Sequence, residues 1–284
     1  MDKPRPITIQ QNEFKEELAM AFLEAYLDHF QGDRILRALN TEPNMKYLPV
    51  STRTILKTPR IFNGKLHSVP PGEYLHIGIQ KGIKKILNIT PKEYIPNCLE
   101  IDWSSDGCAL NKKFCLWPIQ IRISNIENCI PQVVGIYAGR KKPENVDILM
   151  HNFITEINII REDGLLYNDK HLTIHIRAGI FDLPANAMFL KHYNHNSKKQ
   201  PCTKCKVTGR RYRRTTIFLG VDHELRTNKE YSLAEELQHH KGKTPLLKMD
   251  MKIVDEVPID PMHCVYIRAN KKILYAWTTP KYKT

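Results

Sequence analysis

The chain has 284 residues, 42% of them hydrophobic, which suffices for one large domain or two modest ones with their own cores. Lysine and arginine number 43 against 30 acidic residues, a formal charge of +13, which suits a polyanionic partner as readily as a solubilising surface. No run approaches the roughly 18 apolar residues that cross a bilayer, and the start MDKPRPITIQQNEFKEEL is polar, so neither a membrane anchor nor a secretory leader is expected. The seven cysteines are scattered and odd in number, the usage of a reducing, intracellular compartment. A nuclear address would rest on the basic stretch KVTGRRYRR.

In chain order, residues 12–40 carry a helical pattern: Phe14, Leu18, Phe22, Ala25 and Tyr26 fall at spacings of three and four, and Ile35, Leu36 and Leu39 resume after an expected break at Gly32. Residues 1–43 read as a helical lead-in. Residues 44–97, dotted with proline, read as an extended connection with a short helix at Ile79–Leu87 that exposes Lys81, Lys84 and Lys85. From Cys98 the segments LEIDW, LWPIQIRI, QVVGIYA and HLTIHIRAGIF are short β-rich runs between polar or turn residues. Between the third and fourth, PENVDILMHNFITEINII places Val146, Leu149, Met150, Phe153, Ile157 and Ile160 at helical spacing behind a proline. A three-strand meander, a crossover helix and a fourth strand parallel to a strand of the same sheet follow from the right-handed crossover rule. The segment ANAMFLKHY predicts one more helix, and residues 194–262 are irregular and rich in Lys, Arg, His and Pro.

This order predicts an α/β chain of ribonuclease H-like type, with a core at 98–193 and a basic Cys/His insertion with a further segment at 194–284. Such a fold sets one carboxylate on the first strand and another just after the fourth, here Asp106 and Asp182. Hard cations take oxygen ligands, and two metal ions about 3.5–4 Å apart activate an attacking oxygen and stabilise the leaving one at a phosphodiester. Gly107, just after Asp106, would leave the backbone room beside a substrate. Each aspartate also has an ordinary reading: Asp106 beside Gly107 suits a turn, and Asp182 before Leu-Pro-Ala suits a helix cap. Asp102 is a rival first ligand, since it shares a strand face with position 106 by period two. Trp103 and Trp117 read as core residues of the sheet.

In the insertion, Cys202 and Cys205 form a CxxC, and His239 and His240 follow as the nearest paired histidines. Two thiolates and two imidazoles suit a structural Zn²⁺, which would staple an irregular polar stretch. Free thiols and surface imidazoles are the alternative. Arg210, Arg211, Arg213 and Arg214 surround Tyr212, an arrangement that meets phosphates and stacks on a base, or else forms a solvated loop.

Eight segments occur in an order that resembles one family: RTILKTPR, DGCALNKKFCLWPI, VVGIYAGRKKPENVDILMHNFITEI, FDLPANAMFLK, HNSKKQPCTKCKVTG, LRTNKEY, HHKGKTPLL and VPIDPMHCVYI. Together they cover roughly residues 50–275 and resemble the transposases of CACTA-type DNA transposons and the related transposase domain-containing proteins of animals. The resemblance implies an acidic triad that uses Mg²⁺ or Mn²⁺ to cut DNA at transposon ends and join strands. Asp106 matches the first acid and Asp182 the second. Asp260 and His263, the ends of DPMH, match a family pair of structural or substrate-positioning character. The family's third acid is a glutamate on a helix well beyond that motif, whereas Glu235, Glu236 and Glu256 precede it. The expectation is a truncated or domesticated copy that has two of three catalytic acids, binds DNA, and forms a homo-oligomer if it brings two DNA ends together. The other expectation is a catalytically silent DNA-binding or protein-interaction module on the same scaffold.

Overall fold

The computed structural model of the chain describes residues 7–59 and 64–279. Arg60, the end of the first family-like segment, and the outer ends of the first and last sequence-defined segments lie outside the described residues. The backbone divides into two compact units, Met1–Gly64 and Lys65–Thr284.

Among the described residues the first unit holds three α-helices: α1 (Ile7–Glu24), α2 (His29–Leu39) and α3 (Thr52–Ile55). The break expected at Gly32 falls earlier, because Asp28 and Gln31 form a capping box that starts α2. Gly32 sits inside that helix, where a Cβ would stand 2.4 Å from Thr52 Oγ1. The glycine therefore serves close packing against α3. Thr52 also donates to Asp33 Oδ1 from its amide at 2.6 Å and its hydroxyl at 2.7 Å, and Phe22, Leu36 and Ile55 form the small core.

The second unit is a mixed α/β fold. Its strands are β1 (Leu66–Val69), β2 (Gly72–His76), β3 (Cys98–Ser105), β4 (Cys108–Ala109), β5 (Cys115–Ile123), β6 (Gln132–Gly139), β7 (Leu165–Tyr167) and β8 (Lys170–Ile180). They form an eight-stranded sheet in the order β1-β2-β6-β5-β3-β8-β7, with β4 beside β5. Its one parallel pair is β3 with β8. The β1–β2 hairpin lies in the stretch read from sequence as an extended connection. Of its residues only Val69 and Tyr74 are buried hydrophobics, so its pattern is faint, and it is held by pairing with β6.

Burial alternates along the central strands: Trp117, Ile119, Ile121 and Ile123 in β5, and Leu172, Ile174, Ile176 and Ala178 in β8. The helices α4 (Ile79–Ile89) and α5 (Val146–Asp163) pack against each other and against this sheet. Asn145 caps α5, accepting from the amides of Asp147 and Ile148 at 2.9 and 3.2 Å. After α6 (Leu183–Phe189) come the two-stranded hairpin β9 (Arg210–Tyr212) and β10 (Thr215–Ile217), then α7 (Asn228–Leu233) and α8 (Ile253–Glu256). Leu246, Met249, Met251, Ile253 and Val257 return this stretch to the main core. A π-helix at Met262–Asn270 and α9 (Lys271–Thr278) follow. Among the described residues no helix is long and apolar enough to cross a membrane.

Glu156, on α5, ties the two packed helices together. It meets His76 Nε2 at 2.6 Å and accepts from the Ile79 and Gln80 amides at 2.7 and 3.0 Å, so it caps α4 from another helix. Burial alone would raise its carboxyl, yet these bonds hold it below the ordinary carboxylate range. Stability from a depressed carboxyl is complete above its unfolded value, near 4.5, and is lost as pH falls through the folded value. Glu156→Gln is expected to lower unfolding free energy by about 1–3 kcal/mol at neutral pH. It should also flatten the acid limb of the stability curve. Identical urea midpoints for variant and parent at pH 7 would refute the capping role.

Candidate functional site

The pairing of β3 with β8 sets Ser104 opposite Ile180. Two residues further along each strand are Asp106 and Asp182, so the parallel register delivers both carboxylates to the same edge of the sheet. Asp106 is exposed and Asp182 half-buried. Although its surface is open, partial desolvation by its surroundings pushes the Asp106 carboxyl up, and the nearby Asp182 charge pushes it further; the Gly107 amide and His263 pull the other way. Beneath the pair Trp103 packs on Phe181 and Phe189 at ring separations of 4.8 and 5.7 Å. That cluster holds Phe181, just before α6, and Phe189, its last residue, against β3.

Each aspartate also does the ordinary work its sequence context suggests. Asp182 is the N-cap of α6, with Oδ1 accepting from the Ala185 amide at 2.8 Å. Gly107, expected to leave room for a substrate, is instead filled against: a Cβ there would meet Trp117 Cζ2 at 2.6 Å. The rival ligand Asp102 is fully engaged. Both its oxygens meet Arg177, the Nε bond at 2.8 Å, and only 5% of the residue is exposed. A bulge makes this possible, since Ile101 pairs with Ile176 and Asp102 with Ala178, leaving Arg177 out of the ladder.

DPMH joins the pair. Asp260 Oδ2 meets His263 Nδ1 at 2.5 Å, and Asp260 Oδ1 accepts from the Met262 amide at 2.8 Å. The bond to Asp260 raises His263 above the ordinary imidazole range, and the charges of Asp182 and Asp106 raise it further. Burial would lift Asp260, but its bonds from His263 and the Met262 amide bring it below the usual carboxylate range. Two sequence-distant motifs thus come within electrostatic reach of one another, the Asp106 and Asp182 carboxylates on one side and the bonded Asp260–His263 pair on the other. Asp106 and Asp182 offer hard oxygens whose mutual repulsion a divalent cation would relieve, so they fit Mg²⁺ or Mn²⁺ as two ligands. They are not a complete cage: among the described residues no three His, Cys, Asp or Glu side chains stand close enough to hold a metal ion.

The four residues read as a zinc set are gathered differently. Cys202 and Cys205 are free thiols in contact with one another, and burial raises Cys205. His239 uses both ring nitrogens: Nδ1 donates to the Gln200 carbonyl at 2.6 Å, and Nε2 accepts from the Tyr231 hydroxyl at 2.7 Å. Among the described residues His240 Nε2 is buried without a hydrogen-bond partner. His192, which carries no motif in the sequence, stacks on His239 with centroids 4.8 Å apart.

What visibly holds this stretch is Arg226. Its side chain has no exposed surface; it donates to the Cys202 carbonyl at 2.9 Å and to Gln200 Oε1 at 3.1 Å, and pairs with Glu236. Lys206 adds Glu224 and, at 2.7 Å, Glu230. Beyond this clamp projects the β9–β10 hairpin, with Arg210, Arg211, Arg213 and Arg214 exposed, Arg213 in the left-handed turn at φ 50° and its guanidinium 5.5 Å from the Tyr212 ring centroid.

No family model matches the chain, and no curated protein is significantly similar to it.

Arg226→Ala would leave Glu236 and two carbonyls without their buried partner and should destabilise the unit by about 3–5 kcal/mol in urea titration. A loss below about 1 kcal/mol would show that another contact holds the insertion. The stacked imidazoles predict acid sensitivity. Burial depresses His192 to about 4 and His239 to about 2, from 6.5 in the unfolded chain. As pH falls below 6.5 the unfolded state takes up protons that the folded state refuses, so stability drops, by up to about 2.7 kcal/mol per pH unit for two such groups. His192→Gln should halve that steepness between about pH 6 and 4; an unchanged slope would mean the imidazole is already charged.

Proposed function

We propose that this chain is a ribonuclease H-like protein of CACTA-type transposase descent, acting on DNA in the nucleus. The order β6-β5-β3-β8, antiparallel up to β3 and parallel across α5, supports the fold reading. The observation that carries the function is the meeting of Asp106 and Asp182 with Asp260 and His263 at one sheet edge. Asp106 and Asp182 would hold Mg²⁺ or Mn²⁺, which when bound activates an attacking water or 3′-hydroxyl and stabilises the leaving oxygen. His263, whose proton affinity Asp260 raises, would when protonated offer a positive charge to a phosphate oxygen and limit the repulsion between the carboxylates. Joining two DNA ends would call for a homo-oligomer.

A second reading, a catalytically silent DNA-binding module on the same scaffold, draws on two observations: Asp182 spends one oxygen on a helix cap, and no third carboxylate completes a metal cage among the described residues. Supercoiled plasmid nicking in Mn²⁺ or Mg²⁺ separates them. The enzyme reading expects nicking that Asp106→Asn or Asp182→Asn reduces by at least about 10²-fold while DNA affinity persists. Binding without metal-dependent nicking, indifferent to both substitutions, would leave only the silent module.

A further inference from the structure

We propose that a lysine-lined groove beside the carboxylate site is a second track for the phosphate backbone of DNA, separate from the arginine hairpin. The inference rests on the DNA-directed reading above and names where the strand would run. The groove, about 590 Å³, lies between the loop leaving β6, the start of α5 and one face of α6. Lys141, Lys142, Lys191 and Lys241 line it. Lys191 is paired with Asp147, and Glu144 adds one further acid to the wall; among the described residues Lys141, Lys142 and Lys241 have no carboxylate partner. Next to Lys191 the Tyr193 ring is bracketed by Lys241 and Lys199, whose Nζ atoms stand 5.1 and 5.7 Å from its centroid. Cations held on a half-buried aromatic are positioned without being neutralised, which suits a polyanion arriving from solvent.

Topology places this groove at the carboxylate edge. Ser105 pairs with Ile119, and Gly139 pairs with Cys115, so the β6 strand exits at the same edge where β3 delivers Asp106 and β8 delivers Asp182. Only α6 intervenes: Asp182 caps its start, and Lys191 lies just past its end. At 1.5 Å per residue that interval is about 13 Å, or about four nucleotides at a rise of 3.4 Å per step. A strand whose phosphate sat at the aspartates would reach Lys191, and with it the groove it lines, within about half a helical turn. Direct contacts of this kind position a duplex without reading its sequence.

The test is binding of the whole chain to a fluorescent 30-base-pair duplex of arbitrary sequence across a salt series. Lys141→Gln/Lys142→Gln/Lys241→Gln is expected to weaken binding at least tenfold near 100 mM salt. It should also lower the slope of log affinity against log salt by about two to three, one for each phosphate no longer neutralised. The charge-reversed triple variant, all three to Glu, should weaken it further, and circular dichroism confirms folding of each. A folded Gln variant with the parent's affinity and slope, while Arg210→Gln/Arg211→Gln loses both, overturns the groove and leaves the DNA reading standing. A parent chain that binds no duplex at any salt overturns the DNA reading and the groove with it.

Discussion

A parallel strand pair cannot be made by a tight turn, and everything around the candidate site follows from how β3 and β8 become neighbours. The chain must leave β6, build a helix long enough to cross the sheet, and return in the direction of β3. Because side chains alternate faces along a strand, a slip of one residue would carry Asp182 away from Asp106 and turn Ile174 and Ile176 out of the core. The bulge at Ile101 and Asp102 fixes the register from within, since Arg177, excluded from the ladder, locks onto the buried Asp102. An aspartate that looked like a metal ligand is the group that holds the other two in line.

The insertion after α6 solves a different problem. Most of its buried apolar residues gather near its end, from Leu246 to Val257, and the part before them is organised around a fully buried guanidinium and around imidazoles kept neutral by burial. Desolvating an arginine is expensive, and its carboxylate and carbonyl partners repay that only if all are present. Such a cluster specifies one arrangement more than it adds stability. It also explains how a stretch dense in lysine and arginine can fold: Arg226 and Lys206 are consumed internally, whereas the hairpin arginines and the groove lysines face outward.

The sequence made legible whatever was periodic or repeated. The four strands of the central sheet, α5 and α6 could be read because their apolar residues recur at periods of two or near 3.6, and Trp103 and Trp117 are buried as expected. The β1–β2 hairpin escaped because a strand stabilised by ladder bonds to a neighbour needs little apolar alternation. Gly32 misled because a helix-breaking residue and a close-packing residue are the same letter until the partner, Thr52, is known. Gly107 failed for the same reason: the space it leaves belongs to Trp117. Among candidate site residues, Asp106, Asp182, Asp260 and His263 could be nominated from order and motif. Their meeting could not, since the whole Cys/His insertion separates Asp182 from Asp260 along the chain. Arg226 and His192 carried no signal beyond their types; burial alone makes them important.

Asp182 occupies a position with two claimants. One oxygen closes the first turn of α6, while the charge of the same carboxylate acts on Asp106 and His263, so the group couples helix formation to charge neutralisation. Whatever draws its electron density toward the site loosens its hold on the Ala185 amide, and whatever firms up the helix stiffens the site. Linkage of this kind is reciprocal. Since the other face of α6 forms a wall of the lysine groove, loading of the site and tension in that wall would be two readings of a single equilibrium, conducted along less than two turns of helix.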